Sequence, residues 1–133
     1  MTQPVPAAPS KTTFWIGHAV SALPVLTLFA SAAAKFAKPT QVVEGMTKHG
    51  YSEGIITGLG VVELACTVLY LIPQTSVLGA ILLTGYLGGA TATHVRVGEY
   101  GQAFMGAIPF GVLLWLGLYL REPRLRALIP WRK

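Results

Sequence analysis

The sequence predicts an all-α integral membrane protein built as a four-helix antiparallel bundle. Three observations lead there. The chain carries four apolar runs, each near the roughly 20 residues of helix that cross a bilayer. Charged residues make up only 11% of the 133 and the mean hydropathy is +0.57, whereas a water-soluble domain carries about 25% charged residues. The connections between runs are short, which makes consecutive spans antiparallel neighbours. Period-two alternation is absent, so a β-barrel is not expected.

Three segments follow along the chain: a tail over 1–12, the bundle over 13–122 and a basic, cytoplasmic tail over 123–133. The opening "MTQPVPAAPS" is rich in Pro and Ala and is expected to be disordered. The first span covers about 14–34 and ends at "AKPTQ", where Pro39 stops the helix. Lys11 and the "ASA" at 30–32 give this run some signal-peptide character. Its apolar stretch is long for such a segment, so it is read as a retained span.

The second span covers about 55–72 and holds one charge, Glu63. The turn "IPQTS" leads into the third, about 77–95, with Pro73 as breaker and Thr75 or Ser76 as cap. "RVGEYGQ" connects it to the fourth, about 103–120. Pro24 and Pro109 lie inside spans, where each is expected to kink its helix.

Charge placement orients the bundle. Lys11, Arg121, Arg124, Arg126, Arg132 and Lys133 share the side of the termini, against Lys35, Lys38, Lys48 and Arg96 on the other. That bias puts both termini in the cytoplasm of a bacterial-type inner membrane. Trp15, Tyr119 and Trp131 at one end and Phe36, Tyr51 and Tyr100 at the other fit interfacial belts. The net charge of +5 comes from bases at the ends of apolar runs, without the stripe that binds nucleic acid. The single cysteine, Cys66, permits no intrachain disulfide and no CxxC redox pair.

The polar residues inside the spans carry the functional signal. Glu63 is the strongest, because an ionisable group at mid-bilayer costs at least ~2.5 kcal/mol and marks function by default. Gly60, Cys66, Thr67 and Tyr70 share its helix face. Thr27, Ser31 and Lys35 recur every four residues and form a polar stripe on the first span. His94 and Arg96 end the third span, with Ala90 and Thr91 one turn before His94. Gly85 and Gly89 form a GxxxG, which serves helix packing, between copies of the chain or within one, or leaves room for a ligand.

On ideal helices, Glu63 lies level with Tyr86 and His94 lies roughly 12 Å higher. Bonds from Glu63 to Tyr86 or Ser31 are therefore expected, in a pocket open on the side away from the termini. His18 reads as interfacial and His49 as a loop residue. With His94 they fall at scattered depths, so no metal site is expected. Haem held by His94 is a subordinate alternative, since haem needs one good axial ligand.

Three stretches, "FASAAAKF", "LGVVELACTVLYLIPQTSVLGA" and "GYLGGATATHVRVGE", resemble in their order and spacing the DoxX-like family of small four-helix membrane proteins. The resemblance runs from about 14 to 120 and rests on the Lys35, Glu63 and His94 positions. It implies an integral membrane protein, and a role beside membrane redox complexes, since the family takes its name from a subunit linked to a thiosulfate:quinone oxidoreductase.

Three functions are consistent with this reading. The first is a pocket for a small apolar ligand of quinone or isoprenoid type serving a redox partner, with Glu63 and His94 at its polar head and Lys35, Ser31, Tyr86 and Arg96 as further contacts. The second is a stand-alone isomerase or hydrolase using Glu63 or His94 as acid–base. The third is a non-catalytic assembly helper. Transport is weaker, because no inverted repeat is visible.

Overall fold

The computed structural model describes Pro4 and residues 6–131. The parts of the two expected tails at 1–3, 5, 132 and 133 lie outside the described residues. The described chain is helical without strands. Four of its helices are long and apolar enough to cross a membrane.

Helix α1 (Lys11–Ala37) starts at Ser10, whose hydroxyl accepts from the Thr13 amide at 3.2 Å. It runs through the buried Pro24 and ends where Lys38 turns left-handed, φ 50°, and donates to the Ala34 carbonyl. Pro39 then both stops α1 and opens a second helix, α2 (Thr40–Lys48). A helix stands where the sequence suggests only a connection. Its nine residues are too few, and on average too polar, to register among the long apolar runs, and no residue of α2 is buried.

Helix α3 (Glu53–Leu71) descends from that end, and its 19 residues rise roughly 28 Å, close to the thickness of the hydrocarbon core. A 3₁₀ turn at Pro73–Thr75 reverses the chain into α4 (Ser76–Arg96). Helix α5 (Tyr100–Arg121) completes the bundle. The kink expected at Pro109 takes the form of a π turn over Ala103–Ala107. Pro109 has no N–H for the Met105 carbonyl, and the backbone closes instead from Ile108 N–H to the Ala103 oxygen. A last short helix, α6 (Pro123–Arg126), buries Leu125 in the core.

The four long helices form a ring in which α1 packs on α3 and α5, and α4 on α3 and α5. Large apolar side chains such as Leu26, Val61, Ile81 and Val112 point outward. In lipid that arrangement exposes nothing unfavourable, and close packing rather than hydrophobic burial must hold the helices together. The tightest packing lies near the termini. A Cβ on Gly117 would sit 2.7 Å from the Gly17 carbonyl, and one on Gly79 would meet the backbone of Tyr70. The fully buried Tyr70 donates to the Leu114 carbonyl at 2.6 Å and lies 2.8 Å from Ser21 Oγ. The Arg121 guanidinium caps its ring at 4.8 Å.

Candidate functional site

At the opposite end the ring opens into a cavity of about 500 Å³ between the four long helices, roofed in part by α2. Its wall includes Ser31, Lys35, Glu63, Tyr86 and His94, five of the six residues singled out from the sequence. Arg96 is the exception. It is exposed and its guanidinium donates to the His49 carbonyl, outside the cavity wall.

Glu63 faces the bundle, with 2% of its side chain exposed, and its partner is Lys35. Lys35 Nζ lies 2.8 Å from Glu63 Oε2 and 2.7 Å from Ser31 Oγ. The ion pair joins the contact expected between Glu63 and Tyr86, whose hydroxyl bears on the carboxylate, and Ser31 enters through the lysine rather than directly. Backbone depth alone conceals it, because Lys35 sits near the end of α1 while Glu63 is deep in α3. Side chains on a helix lean toward its N-terminus. On antiparallel α1 and α3 the two therefore lean toward each other and meet.

Gly60, one turn before Glu63, permits the approach, since a Cβ there would lie 3.0 Å from Lys35 Cβ. Tyr86 turns its ring to the same ammonium, with Nζ 5.9 Å from the centroid. The pair leaves the cavity floor polar but without net charge. That removes most of the penalty for a lone carboxylate at this depth.

Gly85 and Gly89 also face the cavity, and no atom lies within 4 Å of a Cβ built on either. Within the chain they leave space rather than close a helix contact, so packing of the GxxxG inside the bundle is not what the structure holds.

The mouth carries a second polar cluster, which depth on ideal helices did not foresee. Glu99 Oε2 lies 2.8 Å from His49 Nε2 and 2.8 Å from His94 Nδ1, and its Oε1 lies 2.6 Å from Lys48 Nζ. The two imidazoles stand edge to face with centroids 4.8 Å apart. His18 is far off, beside Arg121 at the other end.

Two helix ends build the cluster. At the end of α4, Gly98 N–H bonds Val95 O and Glu99 N–H bonds His94 O. At the end of α2, Gly50 N–H bonds Thr47 O and Tyr51 N–H bonds Met46 O. Each is a Schellman closure with its glycine left-handed, at φ 80° for Gly98 and 90° for Gly50. The closures fold Glu99 back beside His94 and hold His49 against both. Tyr51 joins α4 through Thr93 Oγ1 at 2.8 Å. Glu99 lies outside the spans, and Lys48 above all, then His49 and His94, hold its carboxyl down at about 2. The sequence signal for this cluster was a glycine just past each helix end, at "KHGY" and "RVGE".

A polar cluster thus stands at the mouth of the cavity, a neutralised ion pair at its floor, and bare glycine backbone on one wall. Neither a curated protein nor a solved structure matches the chain. The model of the DoxX-like family matches it over residues 19–117, from the first turns of α1 to within four residues of the end of α5. The Lys35–Glu63 pair, the glycine wall and the His94–Glu99 contact all fall inside that match, and this integral membrane protein belongs to the DoxX-like family.

Proposed function

We propose that this DoxX-like protein binds a small apolar molecule with a polar head, of quinone or isoprenoid type, in the cavity between its helices and thereby serves a membrane redox process. The observation that carries the reading is the Lys35–Ser31–Glu63 set at the floor of a cavity of about 500 Å³. A ligand site combines an apolar wall with a few convergent polar groups in a volume of roughly 300–1,000 Å³. Lys35 and Ser31 supply donors to an oxygen of the head, Glu63 an acceptor, and Tyr86 a face for a ring. Gly85 and Gly89 make room for the ligand body in this reading, rather than a contact between copies of the chain. The protein sits in a bacterial-type inner membrane with both termini cytoplasmic, as its Lys and Arg placement favours.

The test is mass spectrometry of organic extracts from the protein purified in mild detergent. One apolar molecule with a polar head per chain is expected, and its loss in Glu63→Gln. Extracts holding bulk phospholipid alone would remove the reading.

One observation favours the second reading, a stand-alone isomerase or hydrolase. Glu99 holds His94 by its Nδ1 at 2.8 Å on the cavity wall, as a carboxylate orients an imidazole for acid–base work. Turnover of an isoprenoid or ester substrate by the pure chain, abolished in His94→Gln, would select it.

A further inference from the structure

Three donor side chains converge at the cavity mouth from separate stretches of chain: His49 at the end of α2, His94 in the last turn of α4, and Glu99 beyond it. One nitrogen from each ring and one carboxylate oxygen all lie within 4.8 Å of one another. We propose that His49, His94 and Glu99 form a binding site for one divalent transition-metal ion of the zinc class.

Donors around a tetrahedral zinc stand about 3.3 Å apart, with metal–ligand bonds near 2.0–2.2 Å. The separations of 2.8 Å from each ring nitrogen to Glu99 Oε2 must open by about 0.5 Å, and the span of up to 4.8 Å across the three donors must close by about 1.5 Å, within reach of side-chain rotation. The ion takes the lone pair that the other tautomer of each imidazole presents, in place of the two N–H bonds that Glu99 accepts. Two imidazoles and a single carboxylate suit zinc and its first-row neighbours. Calcium and magnesium need about six oxygens, and this donor set offers two.

The surroundings carry both signs, with the Lys48 ammonium and the Arg96 guanidinium beside the donor set. Lys48 bonds the far oxygen of Glu99 at 2.6 Å, and such an outer hydrogen bond orients a ligating carboxylate. The ends of α2 and α4, where backbone carbonyls place partial negative charge, both meet here. Three protein ligands leave a fourth position for water or another group. The two histidines line the cavity, so the ion would sit at its entrance.

The test uses the tag-free full chain in mild detergent, stripped with chelator and titrated with Zn²⁺ alone by calorimetry. One ion per chain is expected, with affinity lowered at least ~100-fold in Glu99→Gln and in His94→Gln. His18→Gln, at the other end of the bundle, is expected to bind as the unaltered chain does. Zinc-edge X-ray absorption of the unaltered protein gives a readout that needs no variant, and two imidazoles with oxygen in the shell are expected. No binding, affinity undiminished in those two variants, or a shell without imidazole would each overturn the site. None of these measurements involves an apolar ligand, so the site stands or falls apart from the function proposed above.

Discussion

Two sets of glycines act in opposite ways, the close-approach set at the end near the termini, joined by Gly60 beside Lys35, and the open set on the cavity wall. Near the termini, Gly17, Gly79 and Gly117 let backbones touch, and the space a Cβ would fill is already taken. Near α2, Gly85 and Gly89 face open space and form part of the cavity wall. In lipid, helix association gains from close packing and little from hydrophobic exclusion. A glycine therefore strengthens the bundle where a second backbone comes up to it and opens the bundle where none does. The polar groups divide accordingly. At the tight end Tyr70, Ser21 and the Leu114 carbonyl satisfy one another. At the open end Lys35 bonds Glu63 on the cavity wall, and Glu99 bonds the two histidines that line its mouth.

The largest expected effect breaks the open end's charge balance. Lys35→Met strands the Glu63 carboxylate and is expected to destabilise the protein by about 3 kcal/mol. Thermal unfolding in mild detergent reads it, and the double change Lys35→Met with Glu63→Met should restore most of the loss. If the double variant were no better than the single, the ion pair would not be the cause.

Next comes the glycine contrast. Gly79→Ala drives a methyl into the Tyr70 backbone and is expected to cost about 2 kcal/mol. Gly85→Ala is expected to be neutral or to stabilise by up to ~1 kcal/mol, since alanine favours helix over glycine. Equal losses at both positions would erase the distinction between the ends. A third variant sharpens it. Gly89→Leu fills the cavity wall and should preserve the melting temperature while removing the co-purified ligand from the extract.

The smallest effect is one of pH, read on metal-free protein. The folded-state pKa of Glu99 is depressed from 4.5 to about 2. Its contribution to holding α2 is therefore fully present above about pH 4.5 and is lost as pH falls toward 2. Amide exchange in Thr40–Lys48, after correction for intrinsic rates, should rise as pH falls below about 4. An earlier rise would mean that other groups dock the helix.

Much of the architecture was readable along the chain. Each apolar run coincides with a long helix to within a few residues, and Pro73 with the turns around it marks a reversal. Glu63, Ser31, Lys35, Tyr86 and His94 do share a cavity. Helix α2 is not legible in the hydropathy because it is short and buries no residue. Glu99 and His49 were passed over as loop residues because their importance comes from two helix ends in different parts of the chain. Arg96 lies outside the cavity wall, because charge type and position say that an arginine stands at a helix end, not which way it turns.

The count, length and order of the spans follow from the order of residues alone. Hydropathy and helical hydrogen bonding act within one segment, and lipid leaves a backbone few other ways to satisfy its polar groups. Which side chains meet is settled by the packed bundle. That depends on how far each helix is rotated about its own axis, on the lean of side chains toward each N-terminus, and on where a missing Cβ lets backbones close. Lys35 finds Glu63, and His49 finds His94 and Glu99, through those three settings, and none of them belongs to one segment alone.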